Sequence, residues 1–179
     1  MKCRALLCAV ALATAALAFD ESGPPVDKPL PSMKIYDVTG PDAGKELDAA
    51  TVLKQKPGLV VFMTRWERPP ARFLKLLDTW AKGDEGKGLT VLSVFLTDDL
   101  EVQKGYLPKV QTSLKLEAIP MTVFLGPKVG PPEYQLNDRA DVTVVFVKGG
   151  KVVEARGIVS CNDTDVPRVV ESAKKLLAK

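Results

Sequence analysis

Leu59 to Met63 (LVVFM) is an unbroken apolar run, and it limits what this chain can become. Such a run offers water no polar side, so as a strand it has to be buried on both faces, in the interior of a sheet. Five residues of loop follow, Thr64 to Arg68 (TRWER), and an amphipathic helix opens at Pro69-Pro70. Phe73, Leu76, Leu77 and Trp80 recur at spacings of three, four and seven, which predicts one apolar helix face. In open α/β sheets the carboxyl end of a buried strand is where ligands and chemistry collect. Here that place holds Arg65, Trp66, Glu67, Arg68 and Pro69, with no cysteine, histidine or glycine-rich phosphate loop.

The chain begins differently from the rest. Lys2 and Arg4 precede an apolar stretch, Ala5 to Leu17, that ends in Ala16-Leu17-Ala18, the pattern of a cleaved secretory signal over residues 1–18. The run falls short of the roughly 20 residues a membrane helix needs, so no stable span is expected after cleavage; a retained anchor is the alternative. The protein is therefore expected to be exported, periplasmic or secreted. Cleavage brings the full-length charge of +3 to about +1, which gives no electrostatic ground for binding nucleic acid. It also removes Cys3 and Cys8 and leaves Cys161 as a lone free thiol, so no internal disulfide can form.

Residues 19–32 carry four prolines, Pro24, Pro25, Pro29 and Pro31, and read as an extended linker to a domain spanning 33–179. Met33 to Val38, the turn TGPDAGK and Glu46-Leu47 predict a hairpin, and Asp48 predicts a helix cap. Leu89 to Leu96 reads as a second buried strand. Asp98 or Asp99 caps a third helix whose apolar residues Val102, Tyr106 and Val110 recur every four positions. Pro108 falls inside that helix, where an unrelieved proline costs about 3 kcal/mol, so a kink or break is expected there. VTVVFVK and KVVEARGIV flank Gly149-Gly150, a two-residue hairpin signal, and an amphipathic helix follows from about Asp165. The order predicts an α/β domain: a three-layer α/β/α sandwich with a mixed central sheet and an added amino-terminal hairpin.

With these residues in view, the chain resembles the thioredoxin-like superfamily, particularly its exported peroxiredoxin and thiol–disulfide oxidoreductase branches. KPLPSMKIYDVTGPDAGKEL (28–47) is similar to the amino-terminal strand and hairpin of those branches. VVFMTRWERPPA (60–71) is similar to their strand, tryptophan and Cys-Pro-Pro-Cys loop, and VTVVFVKGGKVV (142–153) to the hairpin beside their active site. The resemblance implies a fold, and the departures from it bear on activity. Setting Trp66 against the family tryptophan puts Glu67 at the first cysteine and Pro70 at the second. Val142 then stands where the family has a cis-proline, and a non-proline cis bond costs about 2.5–4 kcal/mol, so a trans strand is expected. Thiol exchange needs an attacking thiolate and a resolving thiol, and Glu67 supplies neither.

The expected function is thus a binding or interaction module lacking the redox motif, with no catalytic residue, metal or cofactor. Its surface would be Arg65, Trp66, Glu67, Arg68 and Pro69 with the neighbouring Asp141 and Val142. Its partner would be a protein or a small anion held by the arginines at the helix start. The alternative is a thiol-dependent oxidoreductase or peroxidase working through Cys161 or a partner's thiols. Trp80 reads as core, Asp98 and Asp99 as caps, and Asn162-Asp163-Thr164, formally a glycosylation triplet, as capping residues at the start of the final helix.

Overall fold

A computed structural model describes residues 21–178; the expected signal sequence and the first two residues of the expected linker lie outside them. Seven strands form one mixed sheet: β1 (Lys34–Asp37), β2 (Glu46–Asp48), β3 (Gly58–Met63), β4 (Thr90–Phe95), β5 (Met121–Phe124), β6 (Val142–Lys148) and β7 (Lys151–Ile158). Their order is β2-β1-β5-β4-β3-β6-β7. β3 lies parallel to β4 and antiparallel to β6, and every residue of it is buried, as its unbroken apolar run requires. The β6–β7 hairpin turns through Gly149 and Gly150, both at positive φ, which is the conformation a tight hairpin demands and glycine tolerates.

Alternation along β3 divides the core in two. Leu59, Val61 and Met63 face three long helices, α2 (Arg68–Lys82), α3 (Leu100–Leu114) and α4 (Val166–Leu177). Val60 and Phe62 face the other way, against Leu30, Met33, Leu53 of the short helix α1 (Ala49–Val52) and its cap, and Tyr134 on a 3-10 turn. The second outer layer is therefore thin. Tyr134 is fully buried there, stacked edge-on against Phe62 at 5.2 Å, and its hydroxyl donates to the Pro31 carbonyl at 2.8 Å.

The helix ends follow the sequence signals. Asp48 accepts from Thr51 N–H and Asp99 from Val102 N–H, so both act as caps. Asn162 and Asp165 form a reciprocal capping box before α4, which commits the Asn162 side chain to the Thr164 N–H. α4 buries Val166, Val169, Ala173 and Leu176 along one face, as an amphipathic helix does.

Four expectations change. On α2 the buried face is Phe73, Leu74 and Leu77, with Leu76 at the surface, because α2 lies against both the sheet and α4. On α3, Leu107 and Val110 turn inward while Val102 and Tyr106 point to solvent, so the four-residue recurrence does not mark the core face. α3 also runs unbroken through Pro108, which is exposed, leaving the carbonyl that loses its partner on the wet side. Finally, the proline-rich stretch is extended but not detached. Asp27 N–H donates to the Val152 carbonyl, Leu30 N–H to that of Gly150, and Val152 N–H to that of Lys28. Leu30 enters the core and Ser22 hydrogen-bonds Thr143 at 2.6 Å, so residues 22–30 strap the free edge of β7.

A buried carboxylate fastens the α3–β5 connection to α2. Asp78 is 2% exposed and accepts the backbone N–H groups of Glu117, Ala118 and Ile119 at 2.8–3.2 Å. Removing it leaves three partly buried donors without a partner. Asp78→Ala is expected to lower unfolding stability by about 3 kcal/mol, and Asp78→Asn, which keeps one acceptor oxygen, by about half as much. Urea unfolding followed by circular dichroism measures both.

Candidate functional site

The loop 64–67 leaves the carboxyl end of β3 and is held down by one residue of the facing segment. The Asp141 carbonyl accepts from Thr64 N–H at 3.1 Å and from Arg65 N–H at 3.4 Å, and Asp141 N–H donates to the Ile158 carbonyl at 3.0 Å. Its carboxylate accepts the Cys161 N–H at 3.1 Å and lies 3.6 Å from the Arg65 guanidinium. Asp141 thus ties together the β3–α2 loop, the start of β6 and the segment after β7. Val142, next along, is buried and pairs with Met63 and Ile158 in a regular ladder. Every peptide bond among the described residues is trans, so no cis bond stands at Val142.

This joining creates a cleft of about 380 Å³ lined by Arg65, Glu67, Pro69, Arg139, Asp141 and Cys161, with Val159 on its rim. Cys161 sits on another element, after β7. The sheet topology brings it to the same cleft, since β7 returns beside β6 to the end where β3 finishes. The thiol itself is turned into the core, 1% exposed. Burial, with the carboxylates of Asp165 and Asp141 close by, pushes it up to about 12. A thiolate is the nucleophile in exchange and peroxidase chemistry, and this cleft disfavours forming one.

The expected anion site loses its donors. α2 opens with Glu67 as its unbonded cap, Arg68 at the first position, and prolines at the second and third, which have no N–H to offer. Ala71 N–H is already given to the Glu67 carbonyl. Arg65 faces Asp141, so the cleft balances its guanidinium groups with two carboxylates.

Trp66 goes the other way from Arg65. Its ring packs on Phe95 at 5.0 Å, tilted by 57°, and its Nε1–H donates to the Tyr106 hydroxyl at 3.2 Å. It floors a separate groove of about 530 Å³ between the start of α2 and α3. Trp80 is half-buried against the helical core and donates to Glu85. A further hollow of about 650 Å³ lies at the opposite end of the sheet, between α1 and the starts of β4 and β5, and contains none of the expected site residues. Among the described residues no group of three or more His, Cys, Asp or Glu is placed to hold a metal.

No family model matches the chain, and no curated protein matches it in sequence. Solved structures do. The chain is similar to the peroxiredoxin-like protein from Aquifex aeolicus (TM-score 0.57, 14% identity, covering 87% of this chain and 87% of that one). It is similar to the exposed lipoprotein thioredoxin of Streptococcus pneumoniae (0.56, 18%, 79% and 99%). It is also similar to BsSco, a member of the Sco family of cytochrome c oxidase assembly proteins (0.58, 17%, 86% and 98%). The chain has the thioredoxin-like fold, as the sequence resemblance implies. Likeness at these identities speaks for the fold, and activity has to be argued from the site. Among the described residues no helix is long and apolar enough to cross a membrane.

Two outcomes follow for the thiol. At pH 8 native Cys161 should react with Ellman's reagent about a hundredfold or more slowly than in denaturant, because so little of it is thiolate. A thiol raised on folding stays protonated in the native state, so its contribution is complete below the unfolded value near 9. It fades as pH climbs towards about 12. Melting temperature should therefore fall above pH 9, and less steeply in Cys161→Ala.

Proposed function

We propose that this chain is a thioredoxin-like binding module, exported and without thiol redox activity, whose recognition surface is the carboxyl edge of β3. The surface comprises Arg65, Trp66, Glu67, Arg68 and Pro69, braced from behind by Asp141; Val142, expected as part of it, is fully buried in β6 between Met63 and Ile158 and offers a partner nothing to touch. The observation that carries this reading is the state of Cys161. It is the one cysteine among the described residues, lies inside the core, and is neighboured by two acids that oppose its ionisation. Where the fold's redox members have a loop thiol, this chain presents an exposed Glu67 and two prolines.

The arrangement suits recognition. A rigid strand and a fully paired Asp141 fix the loop, so little ordering entropy is lost when a partner docks. The exposed Pro69 and Val159 supply apolar contact, with Arg65 and Glu67 as charges beside them. One neighbour in structure belongs to a family of assembly proteins, which accords with a partner-binding role for this fold. A small anion fits less well, because the prolines remove helix donors and Asp141 competes for Arg65.

The purified protein should reduce neither insulin disulfides with dithiothreitol nor hydrogen peroxide, and Cys161→Ala should leave both null results unchanged. Thiol-dependent turnover that disappears in Cys161→Ala would replace this reading with an oxidoreductase.

A further inference from the structure

The groove floored by Trp66 is a second recognition feature on the same edge, and its chemistry is more specific than that of the cleft. Tyr106, Val110 and Leu114 recur along α3 at spacings of four and line one wall. Arg68 and Ala71 on the first turn of α2 line the other. The small side chains of Ala71 and Ser113 keep the two helices from closing the space, which at about 530 Å³ admits a bulky apolar side chain. Tyr106 is 43% exposed and Val102, one turn earlier, 58% exposed, so the apolar strip continues beyond the groove along α3.

Charge decides the occupant. Arg68 and Lys109 stand at the groove, exposed, and neither forms an ion pair or hydrogen bond with another described residue. The cations around them are already engaged: Arg72 with Asp163, Lys104 with Glu101, and Lys75 with the Leu114 carbonyl. Glu67 is the single acid lining the groove, and it also borders the neighbouring cleft. Two uncompensated cations beside an aromatic floor complement an acidic segment that presents an apolar side chain.

We propose that this α2–α3 groove binds an acidic peptide segment of a partner protein, anchored by one bulky apolar side chain over Trp66 and Tyr106, with Arg68 and Lys109 meeting its carboxylates. This rests on the reading of the β3 edge as a binding surface and names the kind of partner it takes. The anchor would displace water from the exposed ring surfaces, and the carboxylates would set orientation and approach.

The test uses two fluorescein-labelled hexapeptides, Asp-Glu-Leu-Phe-Glu-Asp and its counterpart with lysine at each acidic position, followed by fluorescence anisotropy. The acidic peptide should bind roughly tenfold more tightly than the basic one at low salt, and the difference should shrink by about 0.5 M NaCl. Arg68→Glu combined with Lys109→Glu should reverse the preference, since both side chains are exposed and the fold does not depend on them. Ser113→Leu, which fills the groove without changing charge, should abolish binding of both. Equal binding of the two peptides, binding of neither, or a preference unchanged by the charge reversal would overturn the proposal. Thiol turnover would remove the redox-inactive reading of the edge yet leave charge discrimination at the groove, so the two failures are separable.

Discussion

The burial of β3 on every side governs this structure. Its six residues have protein above, below and on both flanks, so its backbone groups are consumed by β4 and β6 and its side chains by two cores. A strand so enclosed can leave the sheet only at its end, and the chain that leaves has to turn at once into the next element. That turn is the TRWER loop. α2 and α3 lie on one face because β3, β4 and β5 run parallel and their two crossovers share a hand, and α4 joins them there after β7. The loop is where this part of the chain first meets solvent, because every residue of β3 is buried.

At the loop, the chemistry is set by acids where thiol chemistry would need cations. Asp141 braces the backbone of three segments, and its carboxylate faces the nitrogen of Cys161. The sulfur beyond is walled off from water, and Asp165 adds to the penalty for charging it. A helix start would ordinarily lend positive potential to this corner. Pro69 and Pro70 withhold the N–H groups that would bring it to bear, and Arg65 is drawn aside by Asp141. What survives of the edge is shape, a half-buried tryptophan bonded to an exposed tyrosine, and a few charges.

Much of this was legible in the residues, for local reasons. An unbroken apolar run, a Gly-Gly pair between β-branched stretches, and Asp or Asn ahead of an amphipathic run each fix short-range geometry. The strands, the hairpin and the caps at Asp48, Asp99 and Asn162 lie where those signals stand. What could not be read depends on which element lies opposite. Val102 and Tyr106 are as apolar as Leu107, and only the position of α3 over the sheet decides which of them is covered. The proline-rich stretch lacks periodicity, yet the open edge of β7 gives it a partner that no local pattern announces. Cys161 reaches the loop because β7 runs back towards it beside β6, a matter of topology. The groove at Trp66 was hidden for the same reason, since its two walls are brought together by the crossover of β4.

The strap has a consequence for how the chain becomes whole. Ser22 finds its partner 121 residues downstream, and Asp27 and Leu30 theirs on the β6–β7 hairpin. A nascent chain emerging from the ribosome exposes its beginning first, and those backbone groups stay unmatched until the β6–β7 turn has been synthesised. The β7 edge of the sheet is thus sealed by residues 22–30, a clasp that shuts only once the β6–β7 hairpin exists. Until then β7, once formed, would offer a bare rim to neighbouring chains, and shortening the protein at its front would leave that rim open in the finished molecule.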